Sequence, residues 1–383
     1  MHKEQTVSPS RRSFLKLSAV AAGAVLAGAA LPSFAQGARL KKVKLADIPS
    51  DNIEMAKGSE LVQNAYRYLL SKIDTLRDPS LKSKVRGLYE DTTPTFLKKW
   101  EGSDGAARAY KALQAQNLID PSKTPVESLF PKIAGGDSKG PQPFWSAPGS
   151  GFASHHPYPG GLATHCAANV EITLGLLKTY REVMGYDPDY DTALAGQLLH
   201  DLAKPYVFQW NQDGSSFKEY AIAGTGAHHV FSLAESIVRG LPAKEIVAQA
   251  CAHDHPGTPD DEKQVVGWIK AAAVFADVDP AAIGLLSKDG EHLPHPLAQE
   301  GFIVHLGDHD WVLSSPAASS CVEALKDVAR KDLGFDDKKL NGAEFNALRN
   351  YVGSQNSFMR LNHDLTTGDP HEKALAAVRS VIA

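Results

Sequence analysis

The sequence is poor in cysteine, and its cysteines show no metal-binding or redox spacing. The three residues, Cys166, Cys251 and Cys321, form no C-x-x-C pair, and three is an odd number. Cys166 and Cys251 lie inside apolar helical patterns, so we expect buried free thiols. A Cys166–Cys251 disulfide is the alternative if the protein reaches an oxidising compartment.

The chain also has no internal repeat, no low-complexity segment and no cluster of basic residues. It carries 40 Lys and Arg against 44 Asp and Glu, a formal net charge of −4. An acidic chain without a basic patch argues against nucleic acid as a partner. The apolar run over residues 17–31 is shorter than the roughly 20 residues that span a bilayer. Because this run is also rich in Ala and Gly, no permanent membrane anchor is expected.

That apolar run follows two adjacent arginines. The string Ser-Arg-Arg-Ser-Phe-Leu-Lys resembles a twin-arginine export signal, and Ser33-Phe34-Ala35 resembles a cleavage site. An ordinary secretory signal that happens to contain Arg11 and Arg12 is the alternative. Cleavage after Ala35 leaves 348 residues with a charge of about −7. The resemblance implies folded export by the twin-arginine translocation machinery to the periplasm or the extracellular space.

The rest of the chain is predicted to be all-α, with a small hairpin insertion. We divide it into a signal peptide (1–35), a helical extension with an irregular connection (36–150), a metal-binding domain (151–285) and a C-terminal helical extension (286–383). Aromatic residues flank Asp213-Gly214 in 206–222 and predict a hairpin there, and a second hairpin is expected around 301–313. Hydrophobic periodicity predicts helices over 53–76, 79–92, 95–117, 161–184, 190–204, 226–240, 242–254, 262–278, 317–333, 342–362 and 370–382.

Histidine and aspartate residues interrupt the apolar helical patterns between residues 155 and 277. The stretch SHHPYPGGLATH places His155 and His156 before a helix start and His165 within its first turns. Further candidates are His200-Asp201, His228-His229, His253-Asp254-His255 and Asp277. Burying such groups without partners costs several kcal/mol each. One buried metal site would satisfy all of them together.

The adjacent pair His200-Asp201 is the most informative of these. Neighbouring residues on a helix differ by 100°, but both side chains can reach an ion that lies between them. Imidazole nitrogen with carboxylate oxygen suits Fe, Mn, Co, Ni or Zn better than Ca. The alternative is that Asp201 only caps the end of its helix.

The ordered set resembles the HD-domain metal-dependent phosphohydrolase superfamily. The sequence HHPYPGGLATH is similar to the region that enters the first ligand helix in the branch related to 3′–5′ exoribonucleases. LLHDLAK matches the family's His-Asp-x-x-Lys pattern, with Ala203 where glycine is more usual. The gaps from His165 to Asp277 (35, 28, 25 and 24 residues) also fit. The resemblance covers residues 155–280, about a third of the mature chain.

The resemblance implies a metal-binding role for six residues, which would hold two divalent transition-metal ions. Four ligands would imply one ion. His229 is the alternative to His228, and His255 is the alternative to His253. The six implied ligands are His165, His200, Asp201, His228, His253 and Asp277.

The resemblance further implies a hydrolase that activates water on a small, anionic phosphoester. Asp201 would bridge or terminate the metal site, Lys204 would hold a phosphoryl oxygen, and His156 would protonate the leaving group; His229 and His255 are alternatives for that last role. The alternative activity is a diiron oxygenase that cleaves a C–C or C–P bond. A non-catalytic metal- or ligand-binding protein is the third possibility.

Overall fold

The computed structural model describes residue 35, residues 37–133 and residues 141–383, and it is mainly helical, as predicted. The predicted export signal lies outside the described residues except for Ala35. Arg39–Ala383 form one compact unit. Within the described ranges, none of the helices combines the length and the apolar composition that crossing a bilayer requires.

The N-terminal helices begin where the sequence supplies caps. The Asp78 carboxylate accepts hydrogen bonds from the first turn of a helix that has Pro79 at its start, where the missing N–H is not needed. The predicted helix 53–76 is divided at Gly58-Ser59. The helices of this region are α1 (Asn52–Lys57), α2 (Glu60–Ile73), α3 (Pro79–Glu90) and α4 (Gly105–Ala115).

The central helices surround the polar residues singled out above. Helices α5, α6 and α11 pack against one another, α9 packs on α6 and α11, and α10 packs on α8. The α-helices are α5 (Gly161–Thr179), α6 (Tyr190–Leu199), α7 (Lys204–Val207), α8 (Ala227–Val238), α9 (Ala243–Ala250), α10 (Pro259–Ala276) and α11 (Gln299–Gly307).

The C-terminal helices build an apolar core of their own. Side chains of α12, α14, α15 and α16 pack together with Met55 of α1 and with Tyr158. The predicted helix 342–362 is divided at Ser357, which has a φ of 56°. The bounds are α12 (Trp311–Lys331), α13 (Asp337–Leu340), α14 (Ala343–Asn356), α15 (Phe358–Leu365) and α16 (Pro370–Val381).

The first predicted hairpin is small. Trp210 and Ser216 form a single antiparallel bridge around the Asp213-Gly214 turn. The two-stranded sheet comes just after it, where β1 (Ala221–Ile222) pairs with β2 (Thr225–Gly226). This sheet leads directly into α8.

The second predicted hairpin, around 301–313, is wrong, because this segment is helical. A short apolar run such as Phe302–Leu306 fits a buried helix as well as a strand. In the structure Ile303 and Val304 are buried between helices. A Cβ atom on Gly307 would lie 2.1 Å from Thr173 Oγ1, so this glycine permits close packing against α5 rather than a turn.

The cysteines are free buried thiols, as the sequence predicted, and no Cys166–Cys251 disulfide forms. Cys166 lies beside His165 on α5, and its sulfur approaches His200 and Asp201. Burial raises the pKa of the Cys166 thiol well above its usual value. The thiol is therefore protonated and uncharged at neutral pH.

Candidate metal centre

Helix α5 begins at a pair of glycines that lets the preceding loop fold against it. Gly160 has a φ of 85°, and Gly161 lies so close to the loop that a Cβ atom would be 1.9 Å from His156 O. The imidazole rings of His155 and His156 consequently lie 4.6 and 5.5 Å from that of His165. The local sequence thus gathers three imidazoles at the first turns of α5.

The end of α6 brings His200 and Asp201 to the same place. The helix stops at Leu199, so both residues lie in the following turn and can point to one centre. Asp201 Oδ2 is 3.1 Å from both His165 Nε2 and His200 Nε2. All three side chains are buried.

A carboxylate that the sequence analysis did not select completes this cluster. Asp308 directly follows α11, and its Oδ1 lies 3.3 Å from the Nε2 atoms of both His165 and His200. Four buried groups therefore converge: His165, His200, Asp201 and Asp308.

Asp277 is not part of this cluster, which corrects the sequence-based expectation. It ends α10 in the left-handed conformation, its side chain is 73% exposed, and it pairs with Lys99 at 3.3 Å. Asp308, and not Asp277, is the second carboxylate that the structure brings to this cluster. The region 305–310 (HLGDHD) did hold the signal, because it places Asp308 and Asp310 against an apolar run.

A second set of imidazoles lies next to Oδ1, the other carboxylate oxygen of Asp201. His228 Nε2 and His253 Nε2 are 3.4 and 3.5 Å from Asp201 Oδ1. His253 Nε2 is also 3.5 Å from Asp308 Oδ2. The two carboxylates therefore stand between two pairs of histidines.

The two alternative histidines have different positions. His229 stacks on His253 with ring centroids 3.3 Å apart, and its Nδ1 contacts Thr225 Oγ1. It thus adjoins the second set. His255 is half-exposed, faces Phe302 and His305, and lies 3.9 Å from Asp261. Of the pair His253 and His255, the structure brings His253 to Asp201.

Neighbouring groups orient the clustered imidazoles. His200 Nδ1 donates to the carbonyl oxygen of Gln197 at 2.6 Å, which directs Nε2 towards Asp201. His228 Nδ1 is bonded to the Glu219 carboxylate at 2.6 Å in the same way. Such partners fix ring orientation and tautomer in metal centres.

Asn169 on α5 reaches into the first set. Its Nδ2 donates to Asp308 Oδ1 at 2.7 Å and lies 3.1 Å from His165 Nε2. Its Oδ1 is buried and accepts no hydrogen bond from the described residues. A 180° turn of the amide would place this oxygen among the nitrogen and carboxylate atoms of the cluster.

The buried carboxylates make the centre strongly attractive to positive charge. Burial works against charge on His165 and His200, but the adjacent Asp201 and Asp308 outweigh it and raise their pKa values to about 10 and about 9. The surrounding cations hold the pKa of Asp201 well below its usual value despite burial. A divalent cation would supply the same charge, with release of the protons.

The two other predicted catalytic residues are already engaged. The buried Lys204 ammonium pairs with Asp201 Oδ2 and donates to Gly149 O. His156 contacts Asp310 Oδ2 through Nε2 at 2.6 Å and Tyr158 OH through Nδ1 at 3.2 Å. Both side chains therefore hold neighbouring residues in place: Lys204 holds Asp201, and His156 holds Asp310 and Tyr158. His155 Nδ1, in contrast, is buried without a hydrogen-bond partner among the described residues.

The fold and the site thus define a mainly helical protein with a buried histidine–aspartate centre. It is similar to dihydroneopterin 2′,3′-cyclic phosphate phosphodiesterase of Methanocaldococcus jannaschii, with 35% identity over 123 residues. The match covers 32% of this chain and about half (48%) of that relative. No family model matches the chain. No solved structure matches it either.

Proposed function

We propose that this protein is a metal-dependent phosphodiesterase of the HD type that hydrolyses a small phosphoester. The observation that carries the proposal is the placement of Asp201, whose two buried oxygens each face a pair of imidazoles. The similarity to a cyclic phosphate phosphodiesterase supports the substrate class. A cyclic phosphate on a small organic molecule is therefore the proposed substrate.

The distances within the cluster suit divalent transition metals. Ligands about 2.1 Å from one ion lie roughly 3.0–3.4 Å from one another in octahedral or tetrahedral geometry. The histidine–carboxylate separations of 3.1–3.5 Å fall close to that range. Moreover, Asp201 Oδ1 is buried and accepts no hydrogen bond from the described residues, whereas Oδ2 pairs with Lys204.

His165, His200, Asp201 and Asp308 would hold one ion, and His228 and His253 would hold a second ion together with the same two aspartates. Mixed nitrogen and carboxylate donors suit Fe, Mn, Co, Ni or Zn. Such ions, when bound, lower the pKa of water and offset negative charge on phosphoryl oxygens.

The chain's own residues would prepare this chemistry. Lys204 holds Asp201 in the orientation that presents both oxygens. Glu219 and the Gln197 carbonyl fix the rings of His228 and His200. His155, with a free ring nitrogen beside His165, is placed to offer a hydrogen bond to a substrate oxygen.

The direct test is hydrolysis of a 2′,3′-cyclic nucleotide by the purified protein. Water adds at phosphorus, one ring P–O bond breaks, and the products are a phosphomonoester and a freed hydroxyl group. We expect turnover to be lost on treatment with a chelator and restored by a divalent transition metal. The rate is expected to be equal in air and without oxygen.

Oxygen consumption coupled to substrate loss would instead establish the oxygenase alternative. A folded protein that retains no metal after dialysis against each candidate ion would contradict both enzymatic hypotheses. It would leave the binding-protein alternative.

We further propose that the protein is exported by the twin-arginine pathway. Replacing both Arg11 and Arg12 by lysine keeps the charge but removes the paired guanidinium groups. We expect this variant to accumulate in the cytoplasm, while the native chain is recovered from the periplasm. Lys3→Arg is the matched control and should export normally; unchanged export of the double variant would indicate an ordinary secretory signal.

A further inference from the structure

A cavity of about 520 Å³ lies among the C-terminal helices, apart from the metal centre. Helices α12 and α14 form two of its walls, and the loop around Phe152 and Pro157 contributes a third. Its volume is within the range of about 300–1,000 Å³ that small-molecule sites occupy. None of the residues assigned to the metal centre lines it.

One wall of this cavity contains a buried arginine without a carboxylate. Arg349 of α14 is 4% exposed, and no Asp or Glu of the described residues lies within ion-pair distance of it. Its Nη2 donates to the carbonyl oxygens of Phe152 and Pro157, at 3.0 and 3.2 Å. Its Nε is buried with no hydrogen-bond partner among the described residues.

An arginine in this situation is costly to the fold. Loss of hydration lowers the pKa of Arg349 to about 10, which agrees with the absence of a compensating negative charge. Buried charges in proteins are ordinarily paired. The carbonyl oxygens of Phe152 and Pro157 orient the guanidinium group but bring no full negative charge.

Part of the cavity wall offers contact to an apolar body. The Phe152 ring lies 4.0 Å from the guanidinium carbon, and Phe345 and Leu340 are buried side chains of the lining. The acidic residues of the lining, Asp213 and Glu323, are exposed, and Glu323 pairs with Lys326. The buried charge of the cavity is therefore the positive charge of Arg349. A ligand with one negative charge would match it better than a ligand with two.

We propose that this cavity is a binding site for a small planar carboxylate, with the carboxylate on Arg349 and the apolar body against Phe345 and Leu340. Because Nη2 already donates to two carbonyl oxygens, the unpartnered Nε–H is the donor that one carboxylate oxygen would engage in a charge-assisted hydrogen bond. The inference does not depend on the proposed hydrolase activity, because the lining shares no residue with the metal centre. The loop 152–157 contributes to both places, since it also carries His155 and His156.

Binding of 4-fluorobenzoate, followed by ¹⁹F NMR on the full chain, tests this proposal. We expect saturable binding with a Kd on the order of 1 mM, as befits so small a ligand. The neutral isostere 4-fluorobenzamide should bind at least about tenfold more weakly, because it lacks the charge that Arg349 needs. A doubly charged aryl phosphonate should also bind more weakly than the carboxylate.

Two neighbouring serines of α12 provide matched variants. Ser319 is exposed and lines the cavity, whereas Ser320 is exposed but does not line it. Ser319→Glu adds a negative charge to the cavity wall and should weaken benzoate binding about tenfold or more. Ser320→Glu adds the same charge to the same helix and should leave binding unchanged.

The proposal is overturned if no saturable binding occurs at millimolar concentrations, if the amide or the phosphonate binds as well as the carboxylate, or if both serine variants behave alike. Loss of binding on metal chelation would place the benzoate at the metal centre and would also overturn it. Because neither serine belongs to the metal centre, failure here leaves the proposed hydrolase activity untouched.

Discussion

Replacing Asp308 by asparagine is expected to abolish metal retention by the centre and to lower phosphodiesterase kcat/KM by more than about 100-fold. Removing a residue that only supports a metal ligand already lowers activity by up to about 100-fold. Asp308 is itself a proposed ligand, so its loss should lower kcat/KM by more than that. Its two oxygens face His165, His200 and His253 at 3.3–3.5 Å. Asparagine preserves the shape but removes the negative charge that a cation requires.

Asp277→Asn is the matched control. Asp277 was a ligand expected from the sequence, but its exposed carboxylate pairs with Lys99, and such surface pairs contribute less than about 1 kcal/mol. Metal content by atomic absorption and turnover of a cyclic phosphate should both equal those of the native protein. If Asp277→Asn lost metal and Asp308→Asn kept it, the assignment of the centre to Asp308 would be refuted.

The Gly161→Ala substitution is expected to lower the free energy of unfolding by about 1–3 kcal/mol. The loss should be larger if the loop that precedes α5 is displaced. An added Cβ would lie 1.9 Å from His156 O and 2.8 Å from Gly149 N. These two atoms are hydrogen-bonded to each other at 2.9 Å, so neither can retreat without breaking that bond. The same displacement would move His155 and His156 away from His165, and turnover should fall as well.

Gly175→Ala places the same change in the same helix. A Cβ atom there would meet none of the described residues within 4 Å, and alanine in a helix interior is favoured over glycine by about 0.5–1 kcal/mol. Urea unfolding should therefore show a lower midpoint for Gly161→Ala and an equal or higher one for Gly175→Ala. Equal destabilisation by both would mean that contact with the loop does not determine the effect at Gly161.

Local sequence signals were most reliable where they coincided with capping and long periodicity. The predicted helix over 161–184 is present as α5 (Gly161–Thr179) continued by a π-helical turn (Tyr180–Met184). Pro79 and Pro370 mark the starts of α3 and α16, as proline at the first helical position does. Hydrophobic periodicity did not predict where a helix is interrupted. It joined 53–76 and 342–362 into single helices, which the structure divides at Gly58-Ser59 and at Ser357.

Asp277 was expected as a ligand because it follows an apolar run and fits the ordered series of the family resemblance. The hairpin expected around 301–313 is instead a helix followed by Asp308, a residue that was not among the expected ligands. The helical state of Phe302–Leu306 depends on contacts with α5, α6 and α9, which are distant in sequence. No local signal distinguishes a packing glycine such as Gly307 from a turn glycine.

The sequence by itself determined that this protein is mainly helical and that its imidazoles cluster around His200-Asp201, because periodicity, capping and the cost of burying polar groups act locally. Tertiary structure alone decided which carboxylate joins them, since that depends on where α11 ends in space. It also decided that Lys204 holds Asp201 and that Arg349 is buried with no counter-charge among the described residues. These are contacts between segments far apart in the chain, and no spacing along the sequence encodes them.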